Sequence, residues 1–339
     1  MRYITFVFYS LLILCTGLFG QADLTKTGTT VANYLNIDVG SRAIAMGGSF
    51  VSIANDASAM YWNPAGIARL ENNSALFCHT KWIADIDINF VGLTVPVQGL
   101  GTVGVNAKFI SMDRMEKTTI DNPDGSGEFF DAGSYIMGLS LARELTNNFA
   151  IGANFKYINE SIYNSNASAI AFDIGTLFTT PFNGLQIGMS ISNYGTKMRM
   201  EGKDLLTQIR VDDQYNGTSE TTNAYLKTDE FDLPLMFRFG ISMDVLKGKG
   251  KSNLLLSADA LHPSNSSECL NLGLEYVYNH FFALRTGYNS LFNEELNTGF
   301  SIGGGLIFSV AGTKMILDYG YQDFNELLDA QMFTLGMNF

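Results

Sequence analysis

Basic residues are in the minority: 21 Lys and Arg stand against 33 Asp and Glu, a formal net charge of -12 with an isoelectric point near 4.6. Phosphate binding needs a basic face, so a nucleic-acid role is excluded. Charge of either sign is also short, at 16% of the chain against roughly 25% in an ordinary soluble domain. That composition, with only 6 prolines, is out of keeping with a cytosolic enzyme. Three histidines, His79, His262 and His280, have no Ser, Cys or metal-ligand partner at a known spacing, so no catalytic machinery, metal site or cofactor is implied. Cys78 and Cys269 lie far apart and read as small apolar filler rather than a metal or disulfide framework. Beyond the first twenty residues no apolar run approaches the roughly 18 to 20 residues that a membrane-spanning helix needs, which excludes a helical membrane protein.

Glycine is plentiful, at 34 residues, and aromatics make up 12%. Residues 1–22 carry Arg2, an almost unbroken apolar stretch from Tyr3 to Phe19 and then small residues at Gly20 and Ala22. That is the pattern of a secretory signal peptide, cleaved after Ala22 or after Gly20.

From about residue 72 the chain falls into segments in which apolar side chains alternate with small or polar ones. Leu235, Phe237, Phe239, Ile241, Met243 and Val245 interleave with Met236, Arg238, Gly240, Ser242 and Asp244. A strand with that pattern has one greasy and one wet face. A soluble sandwich alternates too, but its water-facing side is usually rich in Lys, Glu and Thr. Here the wet face is Gly, Ser, Ala and Asn with isolated ions: Lys108, Lys156, Asp173, Arg238, Asp244, Asp259, Glu275, Arg285, Lys314 and Asp318. An outward face for lipid and an enclosed inner face for these ions predict an all-β fold, a transmembrane antiparallel barrel over 72–339.

Counting segments gives about fourteen strands, an even number as bacterial barrels require. Short links, such as 98–100 and 311–312, interleave with longer ones, such as 112–128, 160–167 and 195–231. The short first link near Ala84 and Asp85 is the exception. The last strand ends on Phe333, Leu335, Met337 and Phe339, and a terminal Phe there resembles the signal read by the barrel-assembly machinery of the outer membrane.

Between the signal and the barrel, residues 23–71 do not alternate. This stretch holds Gly47-Gly48 and Trp62-Asn63-Pro64-Ala65-Gly66. It resembles the N-terminal signature of the PorV/PorQ family of outer-membrane proteins, and its Asn63-Pro64-Ala65-Gly66 is shared with the wider FadL-type transport family. The resemblance implies that residues 23–71 form a hatch inside the lumen, either a static plug or a moving gate. Pro64 fixes φ and forces Asn63 out of helical space, while the glycines let backbone lie against the wall.

The PorV/PorQ likeness implies a component of, or accessory to, type IX secretion and surface attachment, with secreted cargo proteins or secretion-system subunits as partners. PorV, PorQ and an unspecialised relative stay equally open. The FadL likeness implies a channel for hydrophobic small molecules such as long-chain fatty acids. Two further motifs are read as structural. Gly99-Leu-Gly101-Thr-Val-Gly104 matches a dinucleotide fingerprint but is followed by a strand where that site needs a helix. The acidic loop Asp121 to Glu128 lacks EF-hand spacing.

Overall fold

The computed structural model describes residues 26, 28–210, 221–246, 251–293, 299–324 and 329–339. The expected signal peptide lies outside the described residues, as do Asp212, Asp213 and Tyr215 of the longest loop.

Fourteen antiparallel strands form the wall: β1 (Ser74–Lys81), β2 (Asp87–Val97), β3 (Gly101–Ser111), β4 (Ala132–Thr146), β5 (Phe149–Ile162), β6 (Ser165–Thr179), β7 (Gln186–Gly195), β8 (Met236–Asp244), β9 (Asn253–Pro263), β10 (Cys269–Tyr278), β11 (Phe282–Leu291), β12 (Phe300–Val310), β13 (Thr313–Gln322) and β14 (Ala330–Asn338). Each pairs with its sequence neighbours, and β1 pairs with β14 from Ser74↔Asn338 to Lys81↔Gln331, so the ring is closed. A two-residue strand, Glu201–Gly202, adds to the upper end of β6.

Alternation decides which side chain faces where. On β5 and β6, Ile151, Phe155, Tyr157, Ile170, Phe172 and Ile174 are exposed on the outer surface. Their neighbours Ala150, Asn154, Lys156, Ala169, Ala171 and Asp173 are buried. The same greasy exposure runs around the ring through Phe237, Leu284, Leu317 and Phe333. A continuous apolar belt of that kind is far larger than water tolerates on a monomer and matches the lipid-facing band of a membrane barrel.

Links 98–100, 147–148 and 311–312 are tight and lie at one end, here called inner. The longer ones lie at the outer end and carry small ribbons of their own, Met115–Glu116 with Phe129–Phe130 and Leu206–Arg210 with Thr221–Tyr225. One expected loop is corrected. Residues 160–167 are not a long link, because β5 and β6 continue to a two-residue turn at Tyr163 and Asn164, with Tyr163 at φ 53°. Ser165 and Ala167 simply carry on the inward face of β6. Strands β4 to β6, at 15, 14 and 15 residues, therefore outreach the 8 residues of β1. Their extra inner surface buries a cluster of Ile136, Ile158, Ala167 and Ala169 with Ala32, Leu35, Met198 and Leu233.

Three register shifts interrupt the ladders, between β4 and β5 at Glu144/Thr146, between β6 and β7 at Phe172/Ile174 and between β10 and β11 at Leu270/Leu272. The last two are capped alike. The Asn193 N–H donates to Asp173 Oδ1 at 2.7 Å, and the Ser290 N–H donates to Asn271 Oδ1 at 2.9 Å. Asn193 and Ser290 take left-handed backbone angles, as a bulge demands.

Residues 31–70 fill the ring's interior. Helix α1 (Ser41–Ala45) packs on β11 to β14, and α2 (Ala59–Trp62) leads into the 3-10 turn Pro64–Arg69, which packs on β3 to β6. Trp62, Phe50, Met60 and Ile67 are fully buried at its centre. Close approach depends on bare wall: a Cβ on Gly287 would stand 2.1 Å from Gly47 N and 2.2 Å from Met46 C, both backbone. We expect Gly287→Val to cost about 1–3 kcal/mol and to expose Arg42 to trypsin in detergent. Equal protease resistance in the folded variant and the wild type would show that the hatch does not rest on this strand.

Candidate functional site

The hatch is irregular because its sequence is: Gly47 and Gly48 adopt φ values of 66° and 71° and end α1 after one turn. Gly47 lies against the wall, where a Cβ would meet Leu272 O and Tyr288 N within 2.8 Å. The Trp62-Asn63-Pro64-Ala65-Gly66 motif ties the hatch internally. Trp62 Nε1 donates to Val39 O at 2.8 Å, and its ring meets Phe50 edge-on at 5.9 Å. Asn63 is fully buried and extended at φ -158°. Its Oδ1 accepts from Ala65 N at 3.2 Å, capping the turn that Pro64 begins. Its Nδ2 donates to Val51 O at 2.9 Å and Thr176 O at 3.0 Å, so one amide joins two parts of the hatch and the wall. Gly66 sits under Ala54 O, 2.1 Å from where a Cβ would be.

The inward ions hold this plug. Arg42 on α1 forks onto Glu275, Nε to Oε2 at 2.7 Å and Nη2 to Oε1 at 2.8 Å. Burial works against the charged guanidinium, but Glu275 more than offsets it, so Arg42 is held above its ordinary pKa. Glu275 Oε2 also accepts from Arg285 Nε at 2.6 Å, and Arg285 Nη1 reaches Asp318 at 2.6 Å. Across the lumen, Lys108 Nζ donates to Tyr34 O at 3.0 Å and Ile37 O at 2.6 Å. Asp259 accepts the Phe50 and Val51 N–H groups at 2.7 and 2.8 Å. Lys156 pairs with Asp173 at 2.8 Å and so braces the β6–β7 bulge. Arg238 lies over the rings of Tyr61 at 5.7 Å and Trp62 at 5.4 Å and donates to Ser192 Oγ at 3.2 Å.

Two of the ten ions behave differently. Asp244 is half-buried and accepts from Leu246 N at 3.0 Å, within the turn that follows β8. Lys314 was expected to be enclosed, yet it is exposed, because it is the second residue of β13 and stands at the inner rim. Phe339 follows β14 on the surface, its N–H donating to Asn73 O at 2.9 Å. Sequence reasoning missed Arg42 and Asp38, the hatch partners of the wall ions. The signal was present: they are two of few charges in an otherwise small and apolar stretch.

Two cavities flank the hatch. The inner one, about 420 Å³, is lined by Arg42, Asn55, Arg69, Ser242 and Asp244 among others. The outer one, about 310 Å³, lies between Trp82, Met236, Leu261, Pro263 and Phe324, with Asp38 and Arg238 also in its lining. Burial pushes the Asp38 carboxyl up to about 6, against the pull of Arg238 and Lys108. The β10–β11 bulge, through Asn289 and Ser290, forms part of its wall. Elsewhere, Gly99 and Gly101 form a hairpin turn, and Gly303 lies against Ala45 of the hatch. Cys78 and Cys269 are free thiols. Among the described residues no cluster of His, Cys, Asp and Glu is arranged to hold a metal ion.

A family model described as an uncharacterised protein family, UPF0164, matches residues 19–140. No curated protein matches the sequence. Among solved structures the chain is similar to a FadL homologue of Pseudomonas aeruginosa, 14% identical with a TM-score of 0.53, over 92% of this chain and 99% of that one. It is similar to the monoaromatic hydrocarbon channel CymD, 12% identical with a TM-score of 0.56, over 89% and 96% of the two chains. It is also similar to the toluene transporter TbuX of Ralstonia pickettii, 12% identical with a TM-score of 0.52, over 88% and 97%. The shared feature is the fold, a FadL-like closed barrel of fourteen strands.

Removing one partner from a buried ion network leaves the others unpaired and typically costs about 3–5 kcal/mol. Glu275→Gln is therefore expected to lower the urea midpoint of the barrel markedly, since Arg42 and Arg285 both lose their carboxylate. Lys314→Ala, at the exposed rim, should stay within about 0.5 kcal/mol of wild type. Equal midpoints for the two variants would refute the structural role given to the Glu275 network.

Proposed function

We propose that the chain is a FadL-like channel of the outer membrane that takes up hydrophobic small molecules. The outer cavity carries this reading. It opens among the long loops, its apolar wall is formed by Trp82, Met236, Leu261, Pro263 and Phe324, and the hatch closes it below. Its volume of about 310 Å³ compares with an apolar cavity of roughly 150 Å³ that suffices for benzene. Asp38 and Arg238 add polar groups that orient a bound molecule, as small-molecule sites usually have. The bulge beside the cavity interrupts the ladder between β10 and β11. CymD, a monoaromatic hydrocarbon channel, and TbuX, a toluene transporter, handle hydrocarbons of this class.

A second reading keeps the PorV/PorQ likeness: a barrel that assists type IX secretion by meeting secreted cargo or secretion-system subunits at the cell surface. The observation in its favour is a set of exposed apolar side chains on the outer loops, Ile120, Phe129, Leu206, Ile209, Tyr225 and Leu226. Under either reading the outer-membrane lipid surrounds the belt.

The two tryptophans make the first reading testable. Trp82 lines the outer cavity, while Trp62 is sealed in the hatch. Titrating toluene or a long-chain fatty acid into the purified barrel should shift Trp82 emission, and Trp82→Phe should abolish the response. If neither compound elicits a signal, or the signal survives Trp82→Phe unchanged, the channel reading fails.

A further inference from the structure

The two cavities lie on the same arc of wall. Met236 and Arg238 of β8 line the outer one, and Ser242 and Asp244 of the same strand line the inner one. On β9 the corresponding residues are Leu261 and Pro263 outside, Asn253 and Leu255 inside. From Arg238 to Ser242 is roughly 13 Å along an extended strand. The hatch spans that interval with a single strip of backbone, Ser49 to Ser52. A Cβ on Gly240 would stand 3.2 Å from Ser52 N, and one on Gly188 2.5 Å from Val51 O.

This partition carries a group of buried polar oxygens beside the apolar Phe50 and Val51. Ser52 Oγ, Ser190 Oγ and Ser242 Oγ are buried along it and make no hydrogen bond among the described residues. All three residues, and Asp259 beside them, are more than nine-tenths buried. Buried hydroxyl and carboxylate oxygens almost always find partners, and where protein supplies none, water does. The strip is tied to the wall here by three hydrogen bonds: the Phe50 and Val51 N–H groups on Asp259, and the Ser257 hydroxyl on Ser49 O at 3.0 Å. On its other side Asn63 holds Val51 O, so a strip released from the wall stays with the hatch.

We infer that the seam between the Ser49–Ser52 strip and strands β7 to β9 is a second, hydrophilic route through the barrel, gated by Asp259 and selective for small uncharged hydrogen-bonding solutes. Serine hydroxyls and a carboxylate stand along it. Charges of both signs stand at each mouth, Asp38 with Arg238 outside and Arg42 and Arg69 with Asp244 inside, with Asp259 at the neck. An ion of either sign therefore meets like charge on the way, whereas a polyol meets only donors and acceptors. This route is separate from the hydrophobic uptake proposed above and does not depend on it.

The test is osmotic swelling of liposomes holding the full mature chain, with erythritol as solute. Asp259→Ala removes the gate's anchor and is expected to raise the swelling rate at least threefold over wild type. Adding Ser242→Phe, which fills the inner approach, should return the rate to the wild-type value. Heat-dependent migration on a gel confirms that each variant is a folded barrel. Where Asp259→Ala does not fold, Ser257→Ala frees the Ser49 tie alone and should give a smaller rise that Ser242→Phe again removes. A folded Asp259→Ala that swells at the wild-type rate, or a double variant as fast as the single, overturns the route. Because the Trp82 titration reads the outer cavity and not the seam, each proposal fails or stands independently.

Discussion

Hydrocarbon offers no partner for a backbone N–H or C=O, and that single constraint organises the molecule. A strand that turns one face to lipid must have both its edges paired, so a sheet of such strands closes on itself. Closure is made by β1 and β14, the first and last strands of the wall, in register along the whole of β1. With the ring closed, every inward side chain is committed to an enclosed lumen. The ions that alternation places there then need partners, and the hatch supplies several of them.

The hatch and the wall are thus complementary in charge and in bulk. Where the wall carries glycine, hatch backbone presses against it, as at Gly287 and Gly47. Where the wall carries an ion, the hatch answers with Arg42, with the carbonyls of Tyr34 and Ile37, or with the N–H groups of Phe50 and Val51. Asp259 and Lys108 act on hatch backbone rather than on opposite charges. They hold a segment with little regular structure by treating its exposed peptide groups as ligands, which offsets the cost of burying both the ion and the peptide.

Much of the wall was legible in the sequence, because lipid outside and a small or polar lumen inside enforce period two on each strand. Lys156 and Asp173, for instance, fall on the inner face by parity alone. The failures came where parity does not decide. Ser165 and Ala167 fall within the link expected over 160–167, although they continue an inner face that covers Ala32 and Leu35. Lys314 has the right parity but lies at the inner rim, and parity says nothing about depth. The pairing of hatch with wall was not legible, even where the charged residues themselves stood out. Arg42 and Glu275 are 233 residues apart, and Phe50 and Asp259 are 209 apart, so only the closed ring brings them together. Asn63 and Pro64 are the exception: an extended residue followed by proline carries its own local geometry, and its cap on Ala65 could be read directly from the motif.

Whether the plug is static or a gate is a question about its weakest part rather than its average. Proteins open locally where few contacts hold, and the energy of such opening is far below that of global unfolding. Helix α1 is fixed by the Arg42 fork and by close packing on β11 to β14, and the Pro64–Arg69 turn is fixed by Asn63 and the walls of β3 to β6. The Ser49–Ser52 strip has neither a helix nor an ion pair of its own. Its tie to the wall rests on one carboxylate and one serine, and polar atoms left without protein partners surround it. A plug built this way yields first along β7 to β9 while its two ends remain in place, so plug and gate describe different parts of one segment.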